Sequence, residues 1–504
     1  MTASSPHPAP EVVVAVDQGT GSTKATAIDH NGTVIARASV PVSRSDPRPG
    51  WVEQDPLELR DSVTTAIAAL LDQRPLNVAG VGLSNQRESA VVWDRGTGQP
   101  LGPMLGWQDR RTAGRAAAAS QNGWAEEVRS RTGLPLDPMF SALKLEWLLD
   151  QVDPDRAGCR SGRIAVGTVD SWLLFCLTGE HRIEIGNASR TQLLNLEQVE
   201  WDAELAERFH IPLRALPKLA NSAEESEPLA GLSPILKHAR IHAVLGDSHA
   251  ALYANGVRTT GQVKVTYGSG SSIIALSGEA PAATSAGLVR TIAWDTGRPA
   301  YAVEGTILAT GSTLVWLSEL FGTDPYGLSR LAESAASSGG VDFVPAFSGL
   351  GAPFWDPSAQ AIISGFGLGT TQAEIARAAF ESITLQTADV LTAVERAAGA
   401  SLASALIDGA PAQNDWLAQL QADLSQMEIK RNNVAELSAI GAAHLAGVSC
   451  GFWSEQECEG LSRDRTTFTP SIGPDQAQDH RERWAHAIRR SRLQPTPAQA
   501  QLAR

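Results

Sequence analysis

A glycine-rich turn between two strand-like runs is the feature that most constrains the fold of this chain. The runs are Val12 to Val16 and Ala25 to Ile28, and the segment between them reads Asp17-Gln18-Gly19-Thr20-Gly21-Ser22-Thr23-Lys24. Apolar and β-branched residues on both sides of a glycine turn predict an antiparallel hairpin, in which the chain folds back on itself. After the turn Asn31-Gly32, the run Val34 to Val40 predicts a third strand of the same meander.

The turn has the chemistry of a phosphate cradle with a carboxylate at its edge. Gly19 and Gly21 let backbone N–H groups approach an anion, and Lys24 supplies a cation. The turn also contains three hydroxyl donors, Thr20, Ser22 and Thr23. Asp17 repels a bare phosphate, so a divalent cation is needed between them, and Mg²⁺ binds one or two carboxylates alongside substrate phosphates. Taken alone, a hairpin turn of small residues explains the same segment equally well.

Length and composition predict a two-domain cytoplasmic protein. The chain has 504 residues, and a single hydrophobic core rarely grows so large, so two domains of roughly 250 residues each are expected. The net charge of −14 argues against nucleic acid as a partner. No apolar run approaches the roughly 18 residues of a membrane span, and the first residues do not resemble a signal peptide. Four scattered cysteines without metal-ligand spacing fit a reducing compartment.

The two halves of the chain open with the same pattern. In the first half, helical Pro56 to Leu71 and strand-like Val78 to Leu83 follow the hairpin. In the second half, strand-like Gln262 to Thr266 and Ser272 to Leu276 flank the turn Tyr267-Gly268-Ser269-Gly270-Ser271. Strands mixed with helices in this order predict an α/β fold with mixed sheets flanked by helices.

The repeated opening indicates a structural duplication, with a boundary near 255–260. We predict one lobe over residues 11–256 and a second over residues 257–493. The ends of the chain, 1–10 and 494–504, are rich in Pro, Ala, Ser and Gln and are predicted to be disordered.

Motifs spread along the chain resemble the FGGY family of carbohydrate kinases, and within it most closely the glycerol kinases. The main islands are Asp17 to Lys24, Asn85-Gln86-Arg87-Glu88, Gly246-Asp247-Ser248-His249, and Tyr267 to Ser271 with Asp408 to Asn414. Further matches are Gly50 to Glu53, Lys144 to Trp147, Gly167 to Asp170, Asn187 to Thr191, Gly349 to Pro353, and Ala378 to Glu381. The resemblance runs from about Val12 to Arg490. It implies two actin-like (ribonuclease H-like) lobes with an ATP cleft between them, and phosphoryl transfer from ATP to a small polyol or sugar.

The resemblance assigns the chemistry residue by residue. Asp247 would be the general base that takes the proton of the attacking hydroxyl, a role typically worth roughly 10² to 10⁴ in rate. Asp17 would hold Mg²⁺ through water. The β- and γ-phosphates would be contacted by Thr20, Gly21, Ser22 and Lys24. Asp247 followed by Ser248 to Leu252 also predicts a helix N-cap, and both roles can hold at once.

Substrate and nucleotide contacts are implied in the same way. Arg87 and Glu88 would bind substrate hydroxyls; alone, such a pair is usually solvated, but its place after the strand Val78 to Leu83 favours a site. Trp107 would form an apolar wall, although a lone Trp is more often core. Met139 and Ser248 occupy two further substrate positions. On the nucleotide side, the resemblance implies phosphate contacts by Gly268, Ser269 and Gly311, and adenosine contacts by Ala410 and Asn414.

Several positions depart from the glycerol kinase pattern. Met139 stands where those enzymes have a tyrosine, Ser248 where they have a glutamine, and Ser272 where they have an aromatic residue. Near the nucleotide, Ala410 replaces a glycine and Val315 a glutamine. A small pocket changed at three positions favours a substrate longer than glycerol, such as erythritol, a pentitol or a pentulose such as xylulose.

The sequence therefore predicts ATP-dependent phosphorylation of a terminal hydroxyl of glycerol or a related small polyol or ketose. A longer substrate is the first alternative. A catalytically weak polyol-binding sensor is the second, and a plain ATPase or chaperone-like actin relative is the third. A homo-oligomer is left open.

Overall fold

The structure is a computed structural model that describes residues 9–230, 236, 238–278 and 287–493. Apart from Ala9 and Pro10, the predicted tails 1–10 and 494–504 lie outside the described residues. The chain divides into two compact units. Unit 1 comprises Met1–Arg258, Arg290–Tyr301 and Glu436–Ser462, and unit 2 comprises Thr259–Val289, Ala302–Ala435 and Arg463–Arg504, in each case as far as these ranges are described. Both units are discontinuous in sequence, whereas the predicted lobes are two continuous ranges.

The described residues form the strands Glu11–Gln18 (β1), Ser22–Ile28 (β2), Val34–Pro41 (β3), Glu53–Gln54 (β4), Asn77–Asn85 (β5), Val91–Asp94 (β6), Gln99–Pro100 (β7), Met104–Leu105 (β8), Ile164–Gly167 (β9), Arg182–Glu184 (β10), Leu194–Asn195 (β11), Glu200–Trp201 (β12), Lys218–Ala220 (β13), Ile241–Gly246 (β14), Gln262–Tyr267 (β15), Ser271–Leu276 (β16), Val289–Asp295 (β17), Pro299–Ile307 (β18), Asp342–Val344 (β19), Ile362–Ser364 (β20), Ser404–Asp408 (β21), Glu428–Asn432 (β22) and Arg465–Phe468 (β23).

The α-helices are Pro56–Leu71 (α1), Ala113–Gln121 (α2), Trp124–Thr132 (α3), Ser141–Val152 (α4), Ala157–Ser161 (α5), Val169–Thr178 (α6), Ile185–Ala188 (α7), Ala203–Arg208 (α8), Asp247–Ala254 (α9), Gly311–Phe321 (α10), Pro325–Ser334 (α11), Gln372–Ala398 (α12), Asp415–Ser425 (α13), Leu437–Ser449 (α14), Glu455–Gly460 (α15) and Pro474–Ser491 (α16). Within the described ranges, no helix is both long enough and apolar enough to cross a bilayer.

The central sheet of unit 1 has the strand order β14-β5-β1-β2-β3. The predicted hairpin and meander are confirmed, because β1 and β2 pair antiparallel, as do β2 and β3. Strand β5 then pairs parallel to β1, and β14 pairs parallel to β5. Helix α1 spans the predicted range; Asp55 caps its first turn by accepting from Leu57 N, and Pro56 occupies a position where no N–H is needed.

Apolar residues of β1 and α1 belong to one buried core beside this sheet. Alternate residues of β1, Val12, Val14 and Val16, are buried in it together with Leu59 and Val63 of α1. The alternation along the strand and the three- to four-residue spacing along the helix put one face of each against the other. The spacing along α1 therefore determines which side of the helix packs on the sheet, whereas β1 is buried on both faces, since Val13 and Ala15 are also 0% exposed.

Unit 2 repeats this topology in strands of the order β18-β16-β15-β21-β22-β23. Strands β15 and β16 form an antiparallel hairpin, β16 pairs antiparallel to β18, β21 is parallel to β15, and β22 is parallel to β21. The order β18-β16-β15-β21-β22 thus matches β3-β2-β1-β5-β14 of unit 1 strand for strand. The shared topology agrees with the predicted duplication, and the mixed sheets with helices confirm the predicted α/β class.

Candidate active site

Three parallel strands of unit 1 end at the same edge of the sheet, and predicted site residues lie at each end. In the register of β1 and β5, Asp17 is opposite Ser84; in that of β5 and β14, Asn85 is opposite Gly246. Arg87 and Asp247 therefore follow directly after neighbouring strand ends. The carboxyl edge of a sheet of this kind is where ligands usually bind.

The side chain of Asp17 is hydrogen-bonded to the neighbouring strand β5. Ser84 Oγ donates to Asp17 Oδ1 at 2.9 Å, and Lys24 lies opposite Asp17 in the β1–β2 register. Burial raises the pKa of the Asp17 carboxyl to about 6; the Ser84 hydrogen bond and the charge of Lys24 act in the opposite direction, and the charge of Asp247 adds to the rise. Burial disfavours the charged form of this carboxyl, and a nearby cation would stabilise that charged form.

The turn between β1 and β2 is closed by its own backbone. Gly19 N donates to Ser22 O at 3.0 Å. Gln54 Nε2 donates to Thr20 O at 2.9 Å, and Trp107 Nε1 donates to Thr20 Oγ1 at 3.2 Å. A Cβ added at Gly21 would meet no atom within 4 Å, so the outer side of the turn is open. Thr20, Gly21, Ser22 and Lys24 are thus presented on a turn with a fixed backbone.

Asp247 is the first residue of α9, with Gly246 as the N-cap. The expectation that Asp247 itself caps the helix is therefore wrong by one position, because β14 runs to Gly246 and the helix starts immediately. Asp247 Oδ1 accepts from Arg87 Nε at 3.1 Å and from Ser248 N at 2.6 Å. Oδ2 has no hydrogen-bond partner among the described residues, and 40% of the side chain is exposed. One oxygen is fixed and the other is available.

Arg87 and Glu88 are buried and are not a solvated surface pair. They are 8% and 5% exposed, and each has a different partner. Arg87 pairs with Asp247, whereas Glu88 Oε1 accepts from Arg190 Nε at 2.6 Å. A Cβ added at Gly246 would lie 2.6 Å from Arg87 Cδ, so only glycine leaves room for the arginine stem there.

The remaining predicted substrate residues of unit 1 also lie on these loops. Trp107 is 37% exposed, and its backbone N donates to Ser89 Oγ at 3.1 Å. Met139 is half-buried, and its backbone N donates to Asp137 Oδ1 at 2.8 Å. Ser248 is half-buried beside Asp247. Trp107 is not a core residue, in contrast to the common reading of a lone tryptophan.

Unit 2 contains a cavity of about 920 Å³. All five predicted nucleotide contacts line it, namely Gly268, Ser269, Gly311, Ala410 and Asn414. Val315 lines the same cavity, with Trp316 and Tyr326 among its aromatic residues. The residues come from the β15–β16 turn, the start of α10, and the segment after β21, and the fold of unit 2 brings these three segments together.

The glycines of this cavity stand where backbones approach closely. Gly311 N donates to Gly268 O at 2.9 Å, and a Cβ at Gly311 would lie 2.6 Å from that oxygen. Gly409 has φ of +96°, and a Cβ there would lie 1.9 Å from Tyr267 O. These positions require glycine for steric reasons alone.

The departures from the family pattern are accommodated without backbone strain. Ala410 has helical backbone angles, φ −64° and ψ −44°, which suit any L-residue.

Asn414 caps α13 by accepting from Leu417 N at 3.1 Å, and its Nδ2 donates to Ser329 Oγ at 2.6 Å. Ser272 Oγ donates to Glu304 Oε1 at 2.7 Å, so its hydroxyl is already engaged.

Sequence reasoning missed two residues that support the site. Ser84 bonds to Asp17 from 67 positions away, and Arg190 pairs with Glu88 from 102 positions away. Arg190 lies in the motif Asn187 to Thr191, and an arginine among small and apolar residues is a sign of a buried ion pair. Ser84 carries no such sign, because its hydrogen bond to Asp17 depends only on how β5 pairs with β1.

Models of known families match the chain over most of its length. Residues 12–247 match the N-terminal domain of the FGGY family of carbohydrate kinases, and residues 263–450 match its C-terminal domain. Among curated relatives, apulose kinase of Pectobacterium atrosepticum is 40% identical over 491 residues, covering 96% of this chain and 99% of the relative. Glycerol kinase of Halobacterium salinarum is 39% identical over 504 residues, covering 95% of this chain and 98% of the relative.

A solved structure agrees. The crystal structure of Plasmodium falciparum glycerol kinase with ADP superposes with a TM-score of 0.91 at 28% identity, covering 97% of this chain and 100% of that one. The predicted fold of two actin-like lobes is therefore confirmed, and so is the predicted enzyme class, a phosphotransferase acting on a sugar or polyol. From its domains, its relatives and its fold, this chain belongs to the FGGY family of carbohydrate kinases.

Proposed function

We propose that this kinase phosphorylates a terminal hydroxyl of glycerol or of a related small polyol or ketose, with Mg·ATP as donor and Asp247 as general base. The observation that supports this best is the shared edge of β1, β5 and β14, where Asp17 is one of the last two residues of β1 and Arg87 and Asp247 come just after the ends of β5 and β14. At this edge, Asp17 would bind the metal, Arg87 would bind the substrate, and Asp247 would accept the proton.

Asp247 suits the role of base because its two oxygens are in different states. Oδ1 is fixed by Arg87 Nε and Ser248 N, which sets the orientation of the carboxylate. Oδ2 is left to accept the proton of the substrate hydroxyl while the hydroxyl oxygen bonds to the γ-phosphorus and ADP leaves. Phosphoryl transfer depends mainly on alignment and charge neutralisation, and a fixed carboxylate contributes to both.

The residues present fit a magnesium ion beside Asp17. Ser84 donates to Asp17 Oδ1, and Oδ2 has no hydrogen-bond partner among the described residues. Within those residues, no group of three or more His, Cys, Asp or Glu forms a metal cage. Mg²⁺ does not require one, since it binds through one carboxylate, phosphate oxygens and water. When bound, the ion would neutralise phosphate charge, while Thr20, Gly21, Ser22 and Lys24 would contact the β- and γ-phosphates.

We assign the nucleotide to the cavity of unit 2. Gly268, Ser269 and Gly311 would approach phosphates, because their backbones carry no side chain or a small one. Ala410 and Asn414 would contact the adenosine. The relative solved with ADP supports a nucleotide in this family member, and the cavity volume of about 920 Å³ is in the range of small-molecule sites.

The identity of the acceptor is the finer part of the proposal. Arg87 and Glu88 would bind its hydroxyls, and Trp107 and Met139 would contact its carbons. Met139 and Ser248 remove two hydrogen-bonding groups that glycerol kinases use, so we keep erythritol, pentitols and pentuloses such as xylulose as alternatives. The apulose kinase relative at 40% identity supports this alternative.

Asp247→Asn tests the proposal directly. The amide keeps the shape and can still accept from Arg87, but it cannot take a proton, so we expect turnover to fall by roughly 10² to 10⁴ or more. ATP affinity, measured by calorimetry, should remain close to that of the wild type. Turnover near the wild-type rate would remove Asp247 from this role.

An acceptor panel separates the alternatives. Glycerol, erythritol, xylitol, arabitol, xylulose and ribulose are compared in a coupled ADP assay. ADP release that depends on one acceptor supports the kinase. Tight polyol binding without ADP release on any member would instead indicate a sensor, and ADP release independent of any sugar would indicate a plain ATPase.

A further inference from the structure

A fully buried lysine lies behind the proposed acceptor pocket. Lys144 is in the first turn of α4 and its side chain is 0% exposed. Its Nζ donates to the backbone oxygen of Met139 at 2.6 Å and to that of Gly106 at 3.2 Å. Its N–H groups are thus engaged by main chain, and it is not placed to contact a substrate.

The two carbonyls belong to the two loops that carry the apolar residues of the pocket. Met139 is one of those residues, and Gly106 directly precedes the other, Trp107. Each loop also has a hydrogen bond of its own. Met139 N donates to Asp137 Oδ1, and Trp107 N donates to Ser89 Oγ. Lys144 bonds to the main chain of both loops from a buried position. Arg110 and Asp137 also join the two loops by an ion pair at 2.9 Å, but their side chains are 53% and 32% exposed, and solvated ion pairs contribute little.

Burial of this amine is costly, which argues against a packing role alone. Desolvation lowers the pKa of Lys144 to about 7, and the charges of Glu88, Asp109 and Asp137 act against that fall. Lysine is almost never fully buried without partners, and a methionine or leucine would fill the same space without desolvating a charge. The two carbonyl bonds are the evident compensation.

The start of α4 is fixed to the same site by other contacts. Ser141 Oγ donates to Glu88 O at 3.0 Å, and Ala142 N donates to Thr191 O at 2.9 Å. The helix that carries Lys144 therefore cannot shift freely, so a change at Nζ acts on the loops and not on the helix.

We infer that Lys144 is a positioning residue that fixes the distance between the Trp107 and Met139 loops and thereby selects the acceptor by size. This inference rests on the proposed function. Because Lys144 touches the loops and not the reacting atoms, it should govern the fit of the acceptor more than the rate of the chemical step.

Lys144→Met tests this. Methionine has a similar length and no donor, so the loops lose their shared buried hydrogen-bond donor and keep only the solvated Arg110–Asp137 ion pair between them. We expect KM for the acceptor to rise by about tenfold or more with kcat changed less than about threefold, and KM for ATP to stay unchanged. The ratio of kcat/KM for glycerol to that for xylulose should change by about fivefold or more.

Arg156→Met is the matched control. Arg156 is also a buried cation of unit 1 that donates to two backbone carbonyls, those of His210 and Asp153, each at 2.8 Å; unlike Lys144, it also forms an ion pair with a carboxylate, that of Asp150. It lies beyond the other end of α4. The control should leave the acceptor KM and the glycerol-to-xylulose ratio unchanged, whatever its effect on thermal stability. Equal acceptor KM values for the two variants would overturn the inference.

Lys144→Gln is the second variant, for the case in which methionine prevents folding. Glutamine keeps two N–H donors on a shorter side chain, so we expect an intermediate rise in acceptor KM, about threefold or more. A wild-type KM and ratio in this variant would also overturn the inference. If the wild type phosphorylates members of the acceptor panel but the Lys144 variants keep the wild-type selectivity, only the inference fails. If the wild type phosphorylates no member of the panel, the proposed function fails as well.

Discussion

At the residue scale, the proposed function makes Met139 and Ser248 the positions that should determine how well the acceptor pocket suits glycerol. Their backbones are fixed independently of their side chains, Met139 by Asp137 and Lys144, and Ser248 by Asp247. A substitution at either position should therefore change the groups offered to the acceptor without moving the loop. A tyrosine at 139 adds a hydroxyl where methionine has no strong hydrogen-bonding group, and a glutamine at 248 replaces the short serine hydroxyl with an amide of longer reach.

Met139→Tyr combined with Ser248→Gln should raise kcat/KM for glycerol. One net hydrogen bond is worth about 1 kcal/mol, so we expect an increase of roughly fivefold for each change and about tenfold or more for both. Each single variant and the double variant are assayed with glycerol and with xylulose, where xylulose should gain nothing. If glycerol use fails to improve in the double variant, the assignment of these two positions to the pocket is wrong.

At the element scale, helix α14 supports the segment that carries Asp247. A Cβ added at Gly441 would lie 1.8 Å from Ala250 O of α9, and one added at Gly82 of β5 would lie 2.3 Å from Ala442 O of α14. The helix thus packs at backbone distance on both neighbours. Ser438 Oγ also donates to Asp247 O at 3.0 Å. The position of the proposed base depends on this packing.

Gly441→Ala should lower both stability and turnover. The added methyl must push α14 from α9, which we expect to cost about 1–3 kcal/mol of unfolding free energy. The displaced Asp247 should reduce kcat by about tenfold or more, because small misplacements of catalytic groups are expensive. Urea unfolding and steady-state kinetics measure the two effects.

Gly114→Ala in α2 is the control for this substitution. A Cβ there meets no atom within 4 Å, so alanine should raise helix stability by up to about 1 kcal/mol and leave kcat unchanged. A Gly441→Ala variant with wild-type stability and turnover would show that α9 tolerates displacement.

The elements themselves were largely predictable from the sequence, and their assembly was not. Helix α1 and the strands around the first turn follow from apolar spacing and turn glycines, which act locally. The close packing at Gly441 is also indicated by a glycine inside a helical pattern. The membership of α14 in unit 1 leaves no local trace, because it arises from contacts with β5 and α9, far earlier in the chain. Ser84 escapes prediction for the same reason, whereas Arg190 carries a local sign of a buried ion pair but no sign that its partner is Glu88.

At the scale of the whole molecule, the proposed acceptor residues and the proposed nucleotide residues of the cavity belong to different compact units, whereas the proposed β- and γ-phosphate contacts, Thr20 to Lys24, belong to the same unit as the acceptor residues. Arg87 and Asp247 are in unit 1, whereas Gly268, Gly311 and Asn414 are in unit 2. A ligand that binds only the native state stabilises it by mass action, by about 2.7 kcal/mol at 100 times its Kd. Each ligand alone should therefore raise the melting temperature of the intact chain, and a variant at an acceptor residue or at a residue of the unit 2 cavity should affect mainly one ligand.

Asn414→Asp and Arg87→Lys separate the two sites. Aspartate can still cap α13 through Oδ1 but loses the Nδ2 donor, and lysine keeps the charge of Arg87 but loses its planar fork. We expect Asn414→Asp to lose most of the melting shift caused by Mg·ATP while keeping the shift caused by the preferred acceptor, and Arg87→Lys to show the reverse. Loss of both shifts in either variant would mean that the residue maintains the fold as a whole. Retention of both would remove it from its proposed site.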